Sequence, residues 1–177
     1  MTRIPAIDPV DEPDELRAVF HQLRITRGRI PLMYRTLAHQ PDILAAHRAY
    51  FHAALDTGTL SRMFKEKIAF KLAHLRGSAY STASHRRYAL AHGVSEDELA
   101  AIRQSDYSQL GPAERTALVF AEEMVAQRGA VSDATFEALA GHFSSAEMVE
   151  IAALVGIMEL AATLGAVFDL GSEGDPV

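Results

Sequence analysis

Hydrophobic residues recur every three or four positions along most of the chain, which is the period of an amphipathic helix rather than of a strand. In the first such segment, Leu16, Val19, Phe20 and Leu23 form a single stripe. No alternating run is long enough to indicate a sheet. The pattern predicts helices at about residues 14–26, 32–39, 41–56, 61–76 and 79–92, a short helix after residue 95, then 112–127, 133–140 and a last helix after residue 144.

Residues with known preferences for helix ends support these boundaries. Ser95 with Glu98, and Ser144 with Glu147, have the spacing of a capping box at a helix start. Gly93 suits the left-handed position that follows a helix. The chain shows neither a repeat nor an internal linker, so we expect one all-α domain over residues 13–172. Residues 1–12 are predicted to form an extended segment and residues 173–177 a tail.

The last helix is apolar nearly all round from residue 148 to 168, interrupted chiefly by Glu159 and Thr163. Such a helix lies at the centre of a bundle or is shared with another subunit. We therefore expect a homo-oligomer. A membrane span is disfavoured, because the carboxylate of Glu159 at its middle would cost a few kcal/mol.

The composition of the chain argues against several classes of function. The chain has 177 residues, 49% of them hydrophobic, and a net charge of −6, which argues against disorder and against nucleic acid as a partner. It contains no cysteine, so it has no disulfide and no thiol chemistry. The first residues lack the apolar segment of a signal peptide, so we expect a soluble, cytoplasmic protein. The eight histidines show no metal-site spacing, and no cofactor-binding motif is present.

The first candidate for chemistry is Glu66. On the predicted helix its neighbours are Ala69, Phe70 and Ala73, so its carboxylate is expected to be partly desolvated, with a raised pKa suited to proton transfer. The alternative is a structural glutamate paired at the surface with Arg62 or a lysine.

The second candidate is a group on the following helix. Ser78, Ser81 and His85 share one face if that helix begins near residue 78, and Tyr80 and Tyr88 flank them. Structural alternatives exist for each: Ser78 is a favoured N-cap, Ser81 can satisfy its hydroxyl in the first turn, and His85 can be a core histidine. A serine nucleophile is disfavoured, since the sequence places no acidic partner for the histidine.

Together these residues carry a family resemblance. Residues 66–85 read EKIAFKLAHLRGSAYSTASH, with Glu66, Ser78, Ser81 and His85 spaced by twelve, three and four. This resembles the core motif of the carboxymuconolactone decarboxylase and alkylhydroperoxidase D-like (AhpD-like) superfamily, in which both serine positions are cysteine. The resemblance extends over about residues 15–170, including RGRIPLMYRTLAHQPDILAA and HGVSEDELAAIR. It implies an AhpD-like helical bundle that assembles as a trimer or hexamer.

The missing cysteines decide which activity the resemblance implies. Thiol-dependent reduction of hydroperoxides needs a thiolate and a resolving thiol, which serine cannot replace. The resemblance therefore favours a cofactor-free decarboxylase-like enzyme acting on a small organic acid or lactone. Glu66 and His85 would exchange protons, and Ser78, Ser81, Tyr80 and Tyr88 would bind the substrate. The alternative is a catalytically silent relative that binds a ligand or serves as a structural oligomer.

Overall fold

The computed structural model describes residues 2–10 and 13–170, and all the regular structure in them is helical. The helices are α1 Asp14–Arg27, α2 Leu32–Leu37, α3 Pro41–Leu55, α4 Arg62–Leu75, α5 Ala79–Ala91, α6 Glu96–Arg103, α7 Pro112–Ala126, α8 Asp133–Ala140 and α9 Ser145–Phe168. The predicted all-α class and helix order are confirmed. The predicted tail at 173–177, and residues 11–12 of the N-terminal segment, lie outside the described residues, so the domain boundaries stay a prediction.

Serine caps fix several helix starts. The side chains of Ser61, Ser78, Ser95 and Ser132 each accept a hydrogen bond from the backbone N–H three residues later. Before α9, Ser144 and Glu147 bond reciprocally, as a capping box requires. Gly93 has φ +95°, the left-handed conformation predicted for it.

The helices group into two compact units. The first comprises Met1–Tyr50 with Thr163–Val177, and the second Phe51–Ala162. The core of the first unit is formed mainly by side chains of α1 and α2, with Leu44 of α3. Two hydrogen bonds join its N-terminal segment to α2. The Ile7 N–H donates to the Arg35 carbonyl, and the Arg35 side chain donates through Nε to the Ile7 carbonyl.

The second unit is built around α4. Every residue from Phe64 to Ala73 is buried, although this run contains three lysines and one glutamate. Each lysine reaches carboxylates on other helices, which removes most of the cost of burying its charge. The pairs are Lys65 with Glu150, Lys67 with Glu98 and Glu114, and Lys71 with Glu122.

Of the two positions that its composition indicated, helix α9 does not occupy the centre of the bundle. It buries Ile151, Leu154, Val155, Ile157 and Met158, whereas its exposed residues include Val149 and Leu160, which are 69% and 43% exposed. The centre of the second unit is therefore the charged helix α4 and not the apolar helix α9. By length and composition alone α9 could cross a membrane, but a single helix of this kind is weak evidence, since core helices of soluble proteins pass the same test.

The exposed apolar side chains of α9 lead to a prediction about assembly. We expect light scattering to give a mass three or six times the 19.3 kDa of one chain, because covering Val149 and Leu160 with a second copy removes apolar surface from water. The double substitution Val149→Lys and Leu160→Lys should lower that mass. Phe136→Lys on α8, where the side chain is also exposed, is the control. A 19.3 kDa species at micromolar concentration would contradict the prediction.

Candidate active site

The turn between α4 and α5 brings the two predicted groups together. Gly77 adopts φ +65°, a conformation that a glycine reaches without strain. The Ser78 N–H then donates to the Ala73 carbonyl at 3.1 Å, and the Ser78 side chain caps α5. The chain thereby reverses, and α5 packs along α4.

Glu66 and His85 are in direct contact. His85 Nδ1 lies 2.8 Å from Glu66 Oε2, within hydrogen-bond distance. The Glu66 side chain has no exposed surface, and the His85 side chain is 8% exposed. Burial shields this hydrogen bond from water and strengthens it.

Arg62 binds the other oxygen of the Glu66 carboxylate. Its Nε and Nη2 lie 2.7 and 2.5 Å from Glu66 Oε1. The third nitrogen, Nη1, donates to Asp56, and the second oxygen of Asp56 lies 2.9 Å from His52 Nδ1. Both oxygens of Glu66 are thus bound by cationic or polar partners within the protein.

The predicted rise in the pKa of Glu66 is wrong. Burial does raise the pKa of this carboxyl, but the hydrogen bonds and charges of His85 and Arg62 more than offset burial and hold it below the ordinary value of 4.5. The apolar neighbours were visible in the sequence, whereas the net effect of two converging partners was not. Glu66 is therefore an ionised hydrogen-bond acceptor at neutral pH and not a proton donor.

The ionised carboxylate fixes the state of the histidine. Because a carboxylate only accepts hydrogen bonds, Nδ1 of His85 carries a proton, and in the neutral ring Nε2 keeps its lone pair. Within the described residues, Nε2 makes no hydrogen bond to the protein. His85 thus has one nitrogen held by the protein and one nitrogen open to proton transfer.

The two serines differ in what they do. Ser78 Oγ accepts from the Ser81 N–H at 3.3 Å, which confirms its role as an N-cap. Ser81 Oγ is half-buried and makes no hydrogen bond within the described part of the chain. It lies one helical turn before His85, whose side chain leans towards the helix N-terminus. Ser81 is therefore the hydroxyl that remains available beside His85.

The two tyrosines also differ in position. Residues 78, 81, 85 and 88 share one face of α5, so Tyr88 continues the line formed by Ser81 and His85. The guanidinium carbons of Arg62 and Arg87 lie 5.7 and 5.1 Å from the centroid of the Tyr88 ring. Tyr80 is half-buried but projects about 100° away around the helix.

Arg62 is the residue whose importance the sequence analysis missed, since it entered there only as a partner in the structural alternative. Its separation of four residues from Glu66 on one helix was the available signal. Metal binding has no support in the geometry: no cluster of three metal-ligating side chains is found among residues 2–10 and 13–170.

The lowered pKa of Glu66 leads to a prediction about stability and pH. Glu66→Gln should reduce the free energy of unfolding by about 3 kcal/mol at pH 7, because it removes one member of a buried charged pair. A carboxyl with a lowered folded pKa stabilises the fold above its unfolded pKa and loses that effect as the pH falls through the folded value. The difference between the two proteins should thus shrink as the pH falls below about 4.3.

Urea unfolding at a series of pH values measures this difference. Glu96→Gln is the matched control, because Glu96 forms an exposed pair with Arg86 and such pairs contribute little. A difference that grows as the pH falls below about 4.3 would show that the pKa of Glu66 is raised.

Comparison with known proteins supports the resemblance found in the sequence. Residues 41–123 match the model of the Carboxymuconolactone decarboxylase family. This segment contains Glu66, Ser78, Ser81 and His85. No curated protein matches the chain in sequence.

Solved structures share the fold. An uncharacterized peroxidase-related protein with an alkylhydroperoxidase AhpD core, from Ralstonia eutropha JMP134, aligns with a TM-score of 0.84 and 24% identity over 98% of this chain and 93% of its own. The debrominase Bmp8 aligns with a TM-score of 0.82 and 24% identity over 96% and 91%. A peroxidase-related protein from Silicibacter sp. TM1040 gives 0.79 and 20% over 94% and 88%. The family match across the candidate site and the shared fold confirm the resemblance to the carboxymuconolactone decarboxylase and AhpD-like superfamily, here with serine at both cysteine positions of the motif.

Proposed function

We propose that the protein is a soluble, cytoplasmic, cofactor-free enzyme of the carboxymuconolactone decarboxylase type, which acts by general acid–base chemistry on a small organic acid or lactone. The observation that carries the proposal is the hydrogen bond of 2.8 Å between His85 Nδ1 and the fully buried Glu66 carboxylate. A histidine oriented in this way is a common general acid or base.

In this proposal the proton is transferred at His85 Nε2. In a decarboxylation, the bond between the carboxylate carbon and the substrate breaks, carbon dioxide leaves, and the electron pair remains on the substrate as an enolate. Protonated His85 then delivers a proton to carbon. The Ser81 hydroxyl donates a hydrogen bond to the enolate oxygen, and Tyr88 lines the same face. Glu66 does not touch the substrate but orients the imidazole.

One observation favours the alternative of a catalytically silent protein. Both oxygens of Glu66 are occupied and the carboxylate is fully buried, as in a structural ion pair. In that case His85 completes the pair and contributes only to stability. The two proposals differ in the role of His85 Nε2. This nitrogen transfers a proton if the protein is an enzyme and has no such role if the protein is silent.

A structural neighbour supports the small size of the proposed substrate. One structure of Bmp8, of a cysteine-to-alanine variant, contains 2,3,4-tribromopyrrole. The fold thus accommodates a small ring in that protein. We extend to this chain only the size of the ligand, because the chain has no cysteine.

Turnover should depend on His85. We expect the protein to convert at least one member of a panel of unsaturated lactones and β-keto or vinylogous keto acids, followed by carbon dioxide release and by absorbance. His85→Ala should lower kcat/KM by about a hundredfold or more, the usual contribution of a general acid or base. His74→Ala, which removes an exposed histidine from α4, should leave the activity unchanged. No conversion of any panel member would favour the silent alternative, whereas conversion that survives His85→Ala would contradict the role proposed for His85.

The missing thiols lead to a second prediction. The unmodified protein should not reduce alkyl hydroperoxides with a thiol donor, because positions 78 and 81 carry hydroxyls. The double variant Ser78→Cys and Ser81→Cys should fold, and the thiol at position 78 should titrate below about 8.5, since it lies at the N-terminus of α5. Thiolate absorbance at 240 nm against pH measures this. Ser84→Cys, in the middle of the same helix α5, is the control. Hydroperoxide turnover by the unmodified protein would contradict the prediction.

A further inference from the structure

Arg62 lies in a row of alternating charges that begins at the surface and ends at His85. Asp56 binds Nη1 of Arg62, Arg62 binds Oε1 of Glu66, and Oε2 of Glu66 binds His85. The exposed fraction of these side chains falls along the row, from 36% at Asp56 and 21% at Arg62 to none at Glu66. The more exposed residues of the row, Asp56 and Arg62, therefore hold the buried carboxylate of Glu66 in place.

We propose that Arg62 is a positioning residue for proton transfer at His85. All three guanidinium nitrogens are in use: Nε and Nη2 contact one oxygen of Glu66, while Nη1 contacts Asp56. Because the guanidinium is planar and rigid, contacts on both sides determine its orientation. The carboxylate is then held with Oε2 directed at Nδ1 of His85, so that Nε2 is the nitrogen left for the substrate.

The row cannot serve as a proton relay. Arginine does not lose its proton in proteins, so no proton passes from Glu66 through Arg62 to Asp56. The effect of Arg62 is instead to keep Glu66 ionised and in a fixed plane. The lowered pKa of Glu66 agrees with this effect, since the charge and hydrogen bonds of Arg62 contribute to it. His85, Arg62 and, through Arg62, Asp56 and His52 are the titratable or charged groups of this row.

A purely structural role for Arg62 makes a different prediction. Arg62 also stacks near Tyr88 and connects the start of α4 with the end of α3, so its removal lowers stability in either case. Loss of a purely structural Arg62 would also raise the pKa of Glu66, because an adjacent positive charge is removed. Only a positioning role requires the tautomer of His85 to change as well. The test must therefore observe those two groups directly and not the stability of the fold.

NMR provides such a test on the intact protein without a substrate. The carboxyl carbon of Glu66 reports its titration, and the ring nitrogens of His85 report its tautomer. In Arg62→Met we expect the titration midpoint of Glu66 to rise by about one unit or more, as for a carboxyl that loses an adjacent arginine, and the single His85 tautomer to become a mixture. Arg62→Lys, which keeps the charge but not the planar fork, should retain the lowered midpoint and still mix the tautomers.

Arg86→Met is the matched control, because it removes an arginine whose ion pair with Glu96 is exposed; it should change neither signal. If Arg62→Met does not fold, the His85 tautomer measured in Arg62→Lys alone decides the proposal. An unchanged His85 tautomer in folded Arg62 variants would overturn the proposal, whether or not the Glu66 midpoint moves.

A kinetic measurement extends the test and rests on the proposed function. With a substrate from the panel, both Arg62 variants should lower kcat by about tenfold or more, as misplacement of a catalytic group does, while KM changes little because Arg62 does not contact the substrate. If the protein has no turnover at all, the proposed function fails, and the NMR result still decides the role of Arg62. A rise in KM with unchanged kcat would make Arg62 a binding residue and would overturn its role in positioning.

Discussion

The structure of the second unit depends on burying a charged helix. Three lysines and a glutamate of α4 lie out of water, and an unpaired charge in such a position would cost several kcal/mol. Each of the four is therefore met by groups of opposite charge from elsewhere in the unit. Helices α6, α7 and α9 supply the carboxylates that pair with the lysines, so the positions of the lysines on α4 constrain where these helices pack.

The candidate site follows the same rule with one difference. The lysines of α4 meet carboxylates, and Lys71 in addition meets the Ile102 carbonyl and the Ser105 hydroxyl. Glu66 meets one permanent cation, Arg62, and one group that gains and loses a proton, His85. The partner of Glu66 on α5 is thus a histidine, whereas the partners of the lysines are carboxylates that stay ionised. The candidate site is in this sense a variation on the packing of the core.

Local patterns in the sequence predicted most of the fold and named the residues of the candidate site. The helix order and the caps at Ser78 and Ser144 depend on neighbouring residues, and they were predictable. The burial of α4 was not, because lysines at positions 65, 67 and 71 face several sides of a helix and normally mark a solvated one. The carboxylates that pair with them lie 31 to 85 residues further along the chain, and a pattern confined to one helix contains no information about them. The prediction of a raised pKa for Glu66 was wrong for another reason: it weighed the apolar neighbours and not the combined effect of Arg62 on the same helix and His85 on the next.

The distance in sequence between Lys65 and Glu150 also bears on how the chain folds. When α4 forms, its lysines can remain hydrated, and burying them before α6, α7 and α9 arrive would leave bare ammonium groups in an apolar interior. A partly folded second unit thus has the free-energy cost of an unpaired buried charge at each of these lysines, whereas in the complete unit each charge is paired. Charge burial therefore disfavours partly folded states and promotes all-or-none assembly, so that α4 is buried only when α6, α7 and α9 are all in place.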